Sequence, residues 1–324
     1  MTELRARLAR GYAGWERWWF EPRETSTLAV IRIGYGVLAL LWTLSQAPTL
    51  LTFYGSHGIL PHSPSFSSGS GYLAWSVLDL IPGDGTVIAL WVIMLAASIS
   101  LIVGYRPRIG ALIMFIGVVS LERRDPYVHN SGDILMRIMP LYLLLSPCGA
   151  ALSLDRWRKA RDRFWEFPLK SQWVVRLMQL QLSFVYLNSV WSKVRGVHWN
   201  DGTAVSIALR IGDLQRFPYP HFLSHTLLLT NFMTFGALAI EFAVGTLVWN
   251  RTARPYVLLL GASLHLGIDW TIRVGFFSYA ILLFYLSFVE PPAMSRFVLA
   301  VRDRVAARAP ARRPAPSVSR PVPQ

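Results

Sequence analysis

Polar and apolar positions in this 324-residue chain separate into long blocks, with little of the short alternation that strands would show. Apolar runs occupy 27–46, 86–105, 108–122, 133–147, 173–192, 229–249, 255–272 and 275–290. A membrane-crossing helix needs about 20 mostly apolar residues. The pattern therefore predicts an all-α fold, a polytopic integral membrane helical bundle with about eight transmembrane helices, contained in residues 27–290. The third, fourth and eighth runs are short and admit tilt, kinking or a re-entrant path, so seven spans is the alternative count.

Ahead of the first run, LRARLARGYAGWERWW sets Leu4, Leu8, Tyr12, Trp15 and Trp19 at helical spacing, with Arg5, Arg7, Arg10 and Arg17 mostly elsewhere. That is the pattern of a helix lying in the membrane interface, and residues 1–26 are read as such a helix on the cytoplasmic side. The segment does not read as a cleaved signal, because the apolar run after it carries Arg32 and no cleavage site precedes the next loop. Residues 291–324 read as a basic, Pro-rich cytoplasmic tail, largely disordered towards its end, AARAPARRPAPSVSRPVPQ. No second domain and no repeat is evident.

Charge then orients the chain. With eight spans and both ends inside, the cytoplasmic segments hold 22 of the 32 Lys and Arg residues. The outer segments hold seven, and Arg32, Arg137 and Arg176 fall within spans. The loop 47–85 has no Lys or Arg, as an external loop should. The expectation is a multi-pass protein of the inner (plasma) membrane with both termini cytoplasmic. The net charge of +14 is thereby read as topology and attraction to the lipid bilayer, with no nucleic acid partner expected.

Several chemistries are removed by composition. Cys148 is the sole cysteine, which excludes a disulfide within the chain and a cysteine-based metal cluster. There is no HExxH, P-loop or dinucleotide fingerprint, and no metal is predicted. Gly34 and Gly36 lie within a span, where small residues serve close helix packing.

What remains is polar residues at membrane depth, which are candidates because their burial is costly. Glu241 needs a partner, with Arg32 or Arg137 as candidates, and reads either as half of a structural ion pair or as a chemical group. His265 and Asp269 are four apart on one helix face, as are Asp269 and Arg273. That histidine reads as a proton acceptor or as a helix-to-helix hydrogen bond. Asp133 and Arg137 repeat the spacing at a helix start, beside His129, Asn130 and Ser131. His129 and Asn130 fall on the same predicted side as Lys193. In VYLNSVWSKVRGVHW, residues 185–199, Lys193 stands between Trp191 and Trp199. A lysine at a helix end is an interfacial anchor on one reading. Gln179, Gln181 and Asn188 on the same span support another, in which the helix faces protein or a cavity and a partly desolvated amine acts as a base.

QLQLSFVYLNSVWSKVRGVHWNDGTAV and the later LHLGIDWTIRVGFFSYAILL resemble the transmembrane part of vitamin K-dependent gamma-glutamyl carboxylases and their bacterial relatives, the horizontally transferred transmembrane (HTTM) family. FYGSHGILP at 53–61 and HNSGDILMRIMPLYLLLSPCGAALSLD at 129–155 are similar to bacterial members, so the resemblance covers most of 27–290. It implies that Lys193 is the base deprotonating reduced vitamin K or menaquinol, which with O2 and CO2 leads to glutamate carboxylation and quinol epoxidation at the extracytoplasmic side. It implies that His129 or Asn130 takes the place of a catalytic family histidine beside asparagine, though the order here is His-Asn; Trp199, His265 and Asn188 are the cofactor-binding candidates, and Arg32, Arg137, Glu241 and Asp269 remain the buried polar residues. The implied partners are a quinone or isoprenoid and a peptide or secreted-protein substrate. Beyond that reversed order, two departures stand: Val194 to His198 leaves one residue more before Trp199 than in the carboxylases, and the latter carry an extramembrane substrate-binding domain where a basic tail follows here. The alternatives are a noncatalytic HTTM protein assisting maturation, export or immunity of a partner and, third, a transporter.

Overall fold

The computed structural model describes residues 2–60 and 75–308. The N-terminal segment forms α1 (Thr2–Phe20), and each of the eight apolar runs forms a helix. These are α2 (Ser26–Ser45), α3 (Asp84–Val103), α4 (Pro107–Arg124), α5 (Ser131–Leu145), α6 (Trp173–Lys193), α7 (Leu227–Leu247), α8 (Arg254–Thr271) and α9 (Phe277–Tyr285). The segment read as a tail begins with another helix, α10 (Pro291–Arg308), and the predicted disorder of 309–324 lies outside the described residues, as do residues 61–74 of the external loop. The sheet consists of β1 (Pro22–Glu24) paired antiparallel with β2 (Leu169–Ser171), which ties the α1–α2 junction to the start of α6.

Local sequence explains the boundaries. Asn130 accepts a hydrogen bond from Gly132 N at 2.7 Å while Asp133 accepts from Asn130 N at 2.8 Å, a capping box that starts α5. Gly104 ends α3 at φ 73°, a left-handed position that suits glycine. Pro107 opens α4, where its missing N–H would be unpaired anyway.

Helices α2, α3, α4 and α5 pack in succession as one group, and α6, α7 and α8 as a second. Between them α9 touches α2, α5, α6 and α8. Tyr35, Trp42, Met94, Met114, Met136 and Phe284 fill the core. The outer surface is apolar too. Only 33% of the α3 span is buried although its mean hydropathy is 2.6, and Ile88, Val92, Ile93 and Ile99 face outward. Such a surface requires lipid as its solvent.

By length and hydropathy alone, three helices among the described residues can cross a membrane: α2 with its extension to Tyr54, α3, and α7. A fourth is obtained if α9 and α10, bent by 112° at their junction, count as one broken span. The expected helical membrane bundle is thus present, while the count of eight exceeds the three or four helices long and apolar enough to cross; α5 with 15 residues and α9 with 9 are short for independent spans.

Candidate functional site

Lys193 ends α6 and its amine is hydrogen-bonded to Glu241 of α7, whose other carboxylate oxygen accepts from Ser189 Oγ at 3.1 Å. The Lys193 side chain is 22% exposed and that of Glu241 7%, so the pair straddles the boundary of the buried interior. Lys193 Nζ also lies 4.6 Å from the centroid of the Trp199 ring, which the turn after Gly196 folds back over the helix end. Arg195, two residues on, takes the opposite course: it sits 4.3 Å from the ring of Trp191, itself 59% exposed. The outer face of the motif therefore carries Arg195 and Trp191, and the inner face carries the Lys193 pair. Beyond them, Asp201 accepts from the Thr203 hydroxyl at 2.5 Å and from its N–H at 2.9 Å, contacts that hold this carboxyl below the usual aspartate range.

A second layer lies deeper. Tyr186, on the same stripe of α6 as Ser189 and Lys193, shares its hydroxyl with His265 Nε2 at 2.5 Å and with the Tyr285 hydroxyl. His265 is 2% exposed, and its Nδ1 is buried without a partner among the described residues. One turn along α8, Asp269 accepts from Tyr279 Oη at 2.8 Å and from Arg216 Nη2 at 3.2 Å. The expected Asp269–Arg273 pair is replaced, because α8 stops at Thr271 and the Arg273 N–H bonds Leu214 O at 2.7 Å.

The other sequence candidates form a separate cluster. His129 Nδ1 is 3.5 Å from Asp133, whose carboxylate also accepts from Trp42 Nε1 at 2.7 Å. Asp133 does not pair with Arg137, which reaches Glu122 at 2.5 Å instead. Asn130 is committed to the cap of α5. Segment 275–278 connects this cluster to the first: a Cβ on Gly132 would come within 2.7 Å of Phe277 N, and the Phe277 ring lies 5.5 Å from that of His265. No hydrogen bond or ion pair joins His129 or Asn130 to Lys193 among the described residues.

Two partners expected for Glu241 are corrected. Arg137 is engaged with Glu122, and Arg32 donates to the carbonyls of Cys148, Ala151 and Leu152 at 2.9, 3.2 and 2.5 Å. Asn188 faces outward on α6, away from the stripe of Tyr186, Ser189 and Lys193. Sequence reasoning passed over Ser189, Tyr186, Tyr285, Glu122, Tyr279 and Arg216. The first two carried a signal, since 186, 189 and 193 share one helical stripe. Among the described residues no group of three or more His, Cys, Asp or Glu is arranged to hold a metal.

Fold and site define a helical membrane protein with a polar, titratable centre between its helices. The HTTM domain model matches residues 20–292, and the chain belongs to that family of membrane domains, which is associated with the membrane part of vitamin K-dependent carboxylases. Neither a curated protein nor a solved structure matches the chain.

Proposed function

We propose that this chain is an eight-span, carboxylase-like membrane protein that acts on a quinol at the Lys193 end of the bundle, extracytoplasmic in the orientation given by the loop charges. The observation that supports this reading is the pairing of Lys193 with Glu241 beneath the Trp199 ring. An amine and a carboxylate in contact share one exchangeable proton. With that proton on Glu241, the neutral amine is able to accept another from a phenolic hydroxyl.

The residues present suit a hydroquinone: an amine for its hydroxyl, an indole face for its ring, and in His265 a buried Nδ1 that lacks a partner among the described residues. A bound vitamin K or menaquinol hydroquinone would supply, with O2, the base strength needed to deprotonate a glutamyl γ-carbon, with CO2 as the group added. Within the chain, Glu241 and Ser189 hold the Lys193 amine in place, Trp199 restricts water, and Tyr186 fixes the imidazole of His265 through Nε2. His129 and Asn130 support the site from the start of α5 through segment 275–278. The substrate would be a glutamyl residue of a peptide or secreted protein.

A second reading, a noncatalytic HTTM protein that assists maturation, export or immunity of such a partner, is favoured by the closure of Lys193 onto Glu241, since a satisfied ion pair needs no ligand. Lys193→Arg separates the two. Arginine preserves the cation but does not give up its proton in working conditions. Its thermal stability should remain near parental while oxygen-dependent epoxide formation from menaquinol, with a glutamyl peptide present, is lost. Parental epoxide yield in this variant removes Lys193 as the base, and a parent inactive with both menaquinol and phylloquinol supports the helper role.

A further inference from the structure

The end of the bundle opposite Lys193 contains a cavity of about 460 Å3 that the proposed chemistry does not use. It lies where α1, the start of α6, the α7–α8 turn and the 3-10 turn Leu286–Phe288 meet. Five arginines line it, Arg17, Arg23, Arg176, Arg251 and Arg254, against two carboxylates, Glu21 and Glu290, which leaves a surplus of three positive charges.

The two carboxylates are already engaged. Arg23 pairs with Glu21 at 2.9 Å and with Glu290 at 3.3 Å, and Arg254 pairs with Glu290 at 3.0 Å. Arg176 is fixed by Trp18 O at 3.1 Å and Gln179 Oε1 at 2.9 Å and stacks 4.9 Å from the Trp18 ring centroid, with no carboxylate of its own. Among the described residues Arg17 donates only to the carbonyl of Ala13, at 3.2 Å, and Arg251 is exposed on the cavity wall without an ion pair. Trp18 and Trp249, with ring centroids 6.1 Å apart, supply an apolar wall. On its far side α1 exposes Leu4, Leu8, Tyr12 and Trp15, a stripe that places this helix in the membrane interface and the cavity mouth at headgroup depth.

We infer that this cavity binds a phosphate ester. Several guanidinium groups converging on a wet, partly apolar cavity suit a tetrahedral anion with several acceptor oxygens, and each can engage two of them. The interfacial setting points to the headgroup of an anionic phospholipid, with its chains along the outer apolar surface; a soluble phosphate ester shares the same recognition chemistry.

The test uses the full chain in mild detergent, with bound dioleoyl phosphatidylglycerol and dioleoyl phosphatidylcholine counted by native mass spectrometry. The parent should retain the anionic phosphatidylglycerol about tenfold better than the zwitterionic phosphatidylcholine, and the double variant Arg17→Gln, Arg251→Gln should lose that preference about tenfold. Arg123→Gln with Arg195→Gln, at the other end, should leave it intact. Both altered arginines are exposed and free of ion pairs, so melting should not change, and Arg251→Gln alone should show part of the loss if the pair melts early. Millimolar glycerol phosphate that displaces the lipid assigns the site to a soluble ester, and lipid that stays bound assigns it to the headgroup. Equal retention of the two lipids, or a preference unchanged in the double variant, overturns the proposal.

Discussion

Arg32 and Lys193 are both cations placed within a helical bundle, and they are satisfied in different currencies. Arg32 is fully buried and its guanidinium is received by the main-chain carbonyls of Cys148, Ala151 and Leu152. The loop is shaped around it: Leu152 is held at φ 48°, and a Cβ on Gly104 would come within 2.9 Å of Arg32 Nη1 and 2.7 Å of Ser153 Cα. None of these partners titrates, and a guanidinium does not lose its proton in a protein. Lys193 is partly exposed, and its partner Glu241 can take a proton. Depth and charge alone therefore do not set the two cations apart. What receives each of them does.

The largest effect expected from this contrast is at Arg32. Arg32→Met would fill much of the volume but strip three buried carbonyls of their donor, each such loss costing roughly 1–3 kcal/mol. A total destabilisation of about 4 kcal/mol should appear as a lost cooperative melt or as poor expression. Arg32→Lys should recover part of it, because an ammonium cannot span three carbonyls as a planar fork does. A parental melt for Arg32→Met would dismiss Arg32 as a structural knot and reopen it as a functional cation.

A smaller loss is expected at Glu241. Glu241→Ala leaves the Lys193 amine beside a buried void; one-sided removal of a buried pair costs about 3–5 kcal/mol, reduced here to about 2 kcal/mol because the amine reaches solvent. Glu241→Gln should lose only about 1 kcal/mol, since the amide oxygen still accepts from Lys193 and the amide NH2 can donate to Ser189 Oγ. Thermal melts of the two variants, with Lys193→Met and the double variant to complete a cycle, measure the coupling. Additive losses would show that the two side chains do not act as a pair.

Much of this scaffold was legible in the sequence, because lipid imposes long apolar blocks and each block became a helix. The buried polar residues were legible as well: Glu241, Lys193, His265 and Asp269 stand out as polar letters in apolar text. Their pairing was not. Lys193 and Glu241 lie 48 residues apart on different helices, and spacing within a helix says nothing about which neighbour it will face. Arg32 was misassigned for a deeper reason, since main-chain carbonyls have no letter in the sequence and only the conformation of the loop around Cys148 reveals them. The same holds for FYGSHGIL, whose carbonyls at Tyr54, Gly55 and Leu60 receive Arg124 at 3.1, 2.6 and 2.9 Å. Asn188 is exposed on α6. It shares the span of Lys193 but not its face.

The smallest effect, and the one that sharpens the contrast most, is expected from removing a single hydroxyl on each side. In the group containing Arg32, Tyr35 donates to Met136 O at 2.9 Å and touches nothing titratable through its hydroxyl. In the other group, the Tyr186 hydroxyl bridges His265 Nε2 and Tyr285. Phenylalanine preserves the ring at both positions, so each variant should lose about 1 kcal/mol, with Tyr186→Phe slightly the costlier because two buried groups lose one partner. Stability would then barely distinguish them, but quinol binding should. No hydrogen bond joins His265 to Tyr285 directly among the described residues, and the Tyr186 hydroxyl is what links them. Tyr186→Phe thus frees the imidazole to turn, and menaquinol affinity, followed by fluorescence quenching, should fall severalfold, whereas Tyr35→Phe should leave it at the parental value. Equal affinities in the two variants would mean that the Tyr186–His265–Tyr285 layer is packing, as Tyr35 is, and would confine the functional centre to Lys193, Glu241 and Trp199.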